Sequence, residues 1–189
     1  MKKKDLKSIK NEEMKILFLG RSDSPVLEWL VSIGESVIQN SDKITSEFIY
    51  SHKINFIISY GYKHILKKEI LDLFPGRAIN LHISYLPYNR GADPNFWSFI
   101  ENTPKGVTIH YIDEGIDTGD IIIQEKVQFI NRQETLETSY AKLHSVIQNL
   151  FKNNWEDIKT KKIKSKKQMG SGTFHKQQDR LNLKYLLKD

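Results

Sequence analysis

The chain has no cysteine, which excludes disulfides, a thiol nucleophile and thiolate metal ligands. No apolar run approaches the roughly 20 residues of a membrane span, and the opening MKKKDLKSIKNEE lacks the apolar stretch of a secretory signal. A cytoplasmic protein with no membrane partner is therefore expected. Neither G-x-G-x-x-G nor G-K-[ST] occurs, so a dinucleotide or P-loop reading has little support. Most of the chain also lacks an excess of either charge. The formal +6 is carried by Lys159, Lys161, Lys162, Lys164, Lys166 and Lys167, and with those set aside the rest is formally neutral. That late run is expected to be solvated and flexible, and nucleic acid is not expected as a partner.

What is present, 39% hydrophobic and 28% charged residues in 189, fits one α/β domain with an appendage. Lys15–Leu19 is a continuous apolar run, as in a strand buried on both faces. Ser24 and Pro25 open a helix on which Val26, Leu30, Ile33 and Val37 fall at helical spacing. The interval before the next strand, Asn55–Tyr60, is short, and a strand remnant near Ile44 followed by a helix carrying Phe48 and Ile49 is expected there. A short helix with Leu66, Ile70 and Leu73, a strand over Ala78–His82, a helix from Pro94, strands over Gly106–Ile112 and Ile121–Val127, and a long helix from Thr135 to Trp155 complete the pattern. The architecture these imply is Rossmann-like: an open, mostly parallel sheet with helices on both faces, abbreviated in its first half.

The chemistry concentrates between Ala78 and Val127. Side chains alternate along a strand, so Asn80 and His82 emerge on one face. The loop DEGIDTGD carries Asp113, Asp117 and Asp120, whose spacing fits no EF-hand and which no histidine joins in sequence, so no metal is expected. An amide, an imidazole and a carboxylate brought together would suit a transfer through a tetrahedral oxyanion. Asn80 would hold the oxyanion, His82 would donate to it or move the proton, and Asp117 would orient and charge the imidazole. His110 is read as a satisfied sheet residue and Arg90 as a loop anchor. The loop GRSDSP lies where open α/β sheets bind ligands, which makes Arg21, Ser22, Asp23 and Ser24 candidates for holding an acceptor.

N-L-H followed by S-Y-L-P-x-x-R-G-A, and then G-V-T-I with D-x-G-x-D-T-G-D, resembles the catalytic signature of the folate-dependent formyltransferases. The resemblance covers roughly residues 14–155. It implies transfer of a formyl group from N10-formyltetrahydrofolate to an amine, with Asn80, His82 and Asp117 as the catalytic residues. It also places Lys63, His64, Ile65 and Leu66, with Asn80 and Ile116, against the folate. On this resemblance the chain divides into a basic arm (1–13), a catalytic domain (14–158) and a Lys-rich linker with a C-terminal tail (159–189).

The tail stretch GTFHKQQD resembles a short motif of small sugar N-formyltransferases, and His175 and Asp179 are candidates to lean over the site. The acceptor implied is the primary amine of a small molecule, a nucleotide-linked amino deoxysugar before methionyl-tRNA or glycinamide ribonucleotide. A non-catalytic module that binds folate or a partner is the rival of another class, and a homodimer stays open.

Overall fold

The structure, a computed structural model, describes residues 13–129 and 134–186, so the basic arm read over residues 1–13 lies outside the described residues apart from Glu13. In chain order the elements are β1 (Lys15–Gly20), α1 (Pro25–Ser32), β2 (Ser36–Asn40), α2 (Ser46–Ser51), β3 (Phe56–Tyr60), α3 (Lys68–Leu71), β4 (Ala78–His82), β5 (Arg90–Gly91) and α4 (Pro94–Ile100). They continue with β6 (Gly106–Tyr111), β7 (Ile121–Lys126), α5 (Leu136–Lys159), β8 (Phe174–His175) and α6 (Gln177–Leu186). Six strands form one sheet in the order β2-β1-β3-β4-β6-β7, and β5 and β8 form a separate pair. The sheet is parallel from β2 to β4, and β6 and β7 pair antiparallel. This is the Rossmann-like α/β architecture expected from the sequence.

Strand alternation divides the apolar residues between two cores. Ile16 and Phe18 of β1 face α1 and α5, while Leu17 and Leu19 face α2 and the Leu66–Phe74 segment. Each such side chain, fully removed from water, contributes about 1.5–3 kcal/mol. The helix starts follow from local chemistry. Ser24 Oγ accepts from the Val26 N–H with Pro25 in the first turn of α1, and Thr135 and Thr138 cap α5 reciprocally.

Two expectations need correction. The first helix stops at Ser32, because Gly34 and Glu35 donate back to the carbonyls of Val31 and Leu30 and close it. Val37 therefore lies in β2, paired with Ile16, and the second strand is Ser36–Asn40 rather than a remnant near Ile44. The lysine run, expected to be flexible, is partly tied down. Lys159 Nζ sits 2.8 Å from Glu35 Oε1, Lys161 donates to the Pro75 carbonyl, and the main chain of Lys166 bonds twice to Ile121 on the sheet edge.

Helix α5 spans one face of the sheet through Leu143, Ile147, Phe151, Trp155 and Ile158, whereas Leu136 and Tyr140, which continue the same helical spacing, are exposed. Trp155 is 1% exposed and its Nε1–H donates to Glu35 Oε1 at 2.7 Å, which ties α5 to the end of α1. Trp155→Ala is expected to cost about 3–5 kcal/mol, against less than about 1 kcal/mol for Leu136→Ala. Urea unfolding of the two variants measures both, and equal losses would contradict this packing.

Candidate active site

On the face of β4 that carries Ala78 in the second core, the apolar packing ends two residues later and a cavity of about 840 Å³ opens, lined by Asn80 and His82. Pairing with β6 sets Asn80 opposite His110 and Ile79 opposite Tyr111. β6 thus ends beside the start of β4, and the loop 112–120 folds back along the sheet face to reach Asn80 and His82.

Asp117 is the hub. Its Oδ1 accepts from Asn80 Nδ2 at 3.1 Å and lies 3.4 Å from His110 Nε2, and its Oδ2 accepts from the Gly91 N–H at 2.8 Å and lies 3.7 Å from His82 Nδ1. Burial on its own would raise the carboxyl. Once protonated, His82 and His110 outweigh it together with the Gly91 N–H, and they hold Asp117 well below the usual carboxylate range.

The histidine tautomers follow from their carbonyl partners. His82 Nε2–H donates to the Asn89 carbonyl at 3.1 Å, which leaves Nδ1 facing Asp117. His110 Nδ1–H donates to the Tyr111 carbonyl at 2.8 Å, which leaves Nε2 to the Asn80 amide 3.3 Å away.

Two glycines make the hub possible. A Cβ on Gly119 would stand 1.8 Å from the Tyr111 carbonyl oxygen, so only glycine lets the loop return to β6. Gly91 has φ +86°, and a Cβ there would meet the His175 carbonyl oxygen at 2.3 Å, so the R-G pair permits β5 to lie against β8. Asp113 acts within its own loop, accepting from the Gly115 N–H and the Thr118 hydroxyl.

The structure brings Asn80, His82 and Asp117 together, and places Lys63, His64, Ile65, Leu66 and Ile116 along one wall of the same cavity. Ile65 is 72% and Ile116 41% exposed, whereas Leu66 is buried in the second core. The two exposed isoleucines offer apolar surface that suits a flat heteroaromatic ring. Arg21, Ser22 and Asp23 stand outside the cavity lining, with Arg21 near enough to Tyr140 of that lining for the two to interact electrostatically. Arg21 pairs with Asp23 at the surface at 2.5 Å, while Ser24 caps α1.

Sequence reasoning missed three lining residues. His110 reaches the cluster only through its cross-strand register with Asn80. Tyr140 and His144 line the opposite wall from α5; their spacing of four puts them on one helix face, and that was the only local signal. His144 contacts the Tyr60 hydroxyl, Gln148 Nε2 also donates to that hydroxyl, and burial lowers the imidazole from its ordinary value. Phe174, His175, Lys176 and Gln177 complete this wall. His175 stacks on Trp97 with ring centroids 3.9 Å apart and Nε2 3.0 Å from Glu101. Asp179 stays outside the lining and accepts from the Lys176 N–H.

The family model described as Formyl transferase matches residues 30–154. Methionyl-tRNA formyltransferase of Halothermothrix orenii is 37% identical over 141 residues, 71% of this chain and 44% of that protein. Phosphoribosylglycinamide formyltransferase of Bacillus subtilis is 35% identical over 96 residues, 50% of this chain and 49% of that protein. The chain thus spans about half, or less, of the length of these curated relatives.

Among solved structures, the formyltransferase PseJ from Anoxybacillus kamchatkensis, in complex with UDP-4,6-dideoxy-4-formamido-L-AltNAc and tetrahydrofolate, is 46% identical with a TM-score of 0.86, covering 93% of this chain and 92% of that one. A 4-N formyltransferase from Francisella tularensis is 28% identical with a TM-score of 0.77, covering 92% and 80%. With its fold and most of its length matched in this way, the chain belongs to the formyl transferase family.

Proposed function

We propose that this protein is an N-formyltransferase that moves a formyl group from N10-formyltetrahydrofolate to the primary amine of a nucleotide-linked amino deoxysugar. The observation that carries the acceptor is the end-to-end likeness to the Anoxybacillus kamchatkensis enzyme, whose complex holds a UDP-linked formamido sugar and tetrahydrofolate. The cavity supports the same division. Lys63–Leu66 and Ile116 form a wall for the folate, Tyr140 with the residues from Phe174 to Gln177 form a wall for the acceptor, and Asn80, His82 and Asp117 stand between.

When bound, the folate supplies an electrophilic formyl carbon. His82 Nδ1, left unprotonated because Nε2–H is given to Asn89, would take the proton of the attacking amine, and the resulting imidazolium, facing the ionised Asp117, would return it to the folate nitrogen that departs as its bond to the formyl carbon breaks. Asn80, anchored through Asp117, turns its second amide hydrogen from the long contact with His110 to the formyl oxygen as negative charge gathers there. His110 keeps the other side of Asp117 occupied, so the carboxylate stays fixed while His82 changes charge.

His82→Ala is expected to lower turnover by roughly 10²–10⁴ and Asn80→Ala by roughly 10²–10³, with folding retained in both and folate binding retained in His82→Ala. The assay follows the mass gain of one formyl group on nucleotide-linked 3-amino and 4-amino deoxysugars, methionyl-tRNA and glycinamide ribonucleotide. Wild-type rates in both variants would place the chemistry elsewhere, and formylation of methionyl-tRNA alone would overturn the sugar assignment.

The depressed Asp117 carboxyl also makes a prediction about pH. Its contribution to stability is fully present above the unfolded value of about 3.9 and is lost as the pH falls towards the folded one. Asp117→Asn should therefore cost more stability near neutral pH than at about pH 3. Urea midpoints at the two pH values test this, and an undiminished difference in acid would show that the charge of Asp117 contributes nothing.

A further inference from the structure

Asp117 sits in a backbone conformation that its loop does not favour. Its φ of 53° is left-handed, where a non-glycine residue with no local compensation costs about 1 kcal/mol or more. Its 3.7 Å approach to His82 is longer than a hydrogen bond, so no bond between the two holds the carboxylate in place. What fixes the loop comes from far along the chain.

Gln168, between α5 and β8, donates from Nε2 to the carbonyls of Asp117 at 2.8 Å and Gly119 at 2.9 Å. Its Oε1 accepts from Arg90 Nε at 3.0 Å and Nη2 at 2.7 Å. Arg90 neighbours Gly91, whose N–H holds the Asp117 carboxylate. One planar amide therefore joins the two segments that grip Asp117, the loop through its carbonyls and β5 through its guanidinium.

A primary amide suits the position because it offers two donors and two lone pairs in one group. A carboxylate has no donor for the loop, an ammonium has no acceptor for Arg90, and asparagine is one methylene short.

We infer that Gln168 is a positioning residue for formyl transfer, holding the Asp117 loop and β5 in the register that aims the Asp117 carboxylate at His82 and Asn80. This rests on the proposed reading of the cavity as a formyl-transfer centre. Gln168 touches neither reacting atoms nor cavity, and acts through Asp117.

The test compares Gln168→Met, which keeps length and volume but loses every hydrogen bond, and Gln168→Glu, which keeps only the acceptor, with wild type. Both variants should lower kcat roughly 10- to 100-fold, with KM for folate and acceptor within about threefold, because displacing a reacting group by about 1 Å costs on that scale. In an Asp117→Ala background, Gln168→Met should cost less than about twofold more, since the clamp then has nothing to aim.

A second readout needs no turnover. By carbon NMR the Asp117 carboxyl, which faces His82 on β4, His110 on β6 and the Gly91 N–H of β5, with Asp113 and Asp120 in its own loop, should titrate at higher pH in Gln168→Met than in wild type. A kcat within twofold of wild type with an unmoved carboxyl titration would overturn the inference, as would equal losses with and without Asp117. A moved titration in a protein that formylates none of the acceptors would retire the proposed reaction and still leave Gln168 as the group that sets Asp117.

Discussion

A carboxylate taken out of water costs several kcal/mol unless every lone pair finds a partner, and the architecture around the cavity is organised by that requirement at Asp117. Its side chain is only 13% exposed. An amide from β4, a main-chain N–H from β5 and imidazoles from β4 and β6 converge on two oxygen atoms. Each partner is fixed in turn by something else. His82 is anchored on the Asn89 carbonyl, His110 on the Tyr111 carbonyl, and Asn89 on Thr103 and Thr173. The charge to which we assign a part in the chemistry is therefore also the charge that specifies where β4, β5, β6 and the loop itself must lie.

The change of strand direction at β4 supplies the geometry. The parallel half directs β3 and β4 towards the cavity, so Ser59, Tyr60, Asn80 and His82 arrive from adjacent strand ends, as open α/β sheets favour. The antiparallel half runs the other way and ends beside Ile79, so its following loop has to travel back over the sheet face. That return places a carboxylate over side chains that strands alone would leave facing water. A wholly parallel sheet would have sent the same loop to the cavity rim.

How much of this was legible depended on how local each signal was. Asn80 and His82 two residues apart, and Asp117 in a glycine-bearing turn, are short-range patterns, and the structure brings all three together. His110 is the satisfied sheet residue it was read as, but its place beside Asn80 and Asp117 is a register between strands 30 residues apart, which no single-strand pattern carries. β2 was absorbed into the preceding helix because Val37 happens to continue the spacing of Val26, Leu30 and Ile33, and only the closing bonds at Gly34 and Glu35 break it. Leu136 and Tyr140 fit the apolar stripe of α5, yet the first turns of that helix run past the packed sheet to the cavity, where there is nothing to bury them. Arg21 lies at the correct end of β1 for a ligand but is satisfied two residues on by Asp23. Gln168, inside a lysine-rich stretch with no periodicity, gave no signal at all.

The pairing of β5 with β8 is only two residues long, yet it carries one side of the cavity on residues that belong to neither core. Ile163 packs against the first core and Lys166 bonds to the sheet edge, so within the chain between α5 and α6 the lining residues Phe174, His175 and Lys176 are the ones a substitution can change without touching sheet or core. Under the proposed function, a different acceptor needs no redesign of a folding nucleus, only a new lining for the pocket, with an amide kept where Gln168 stands.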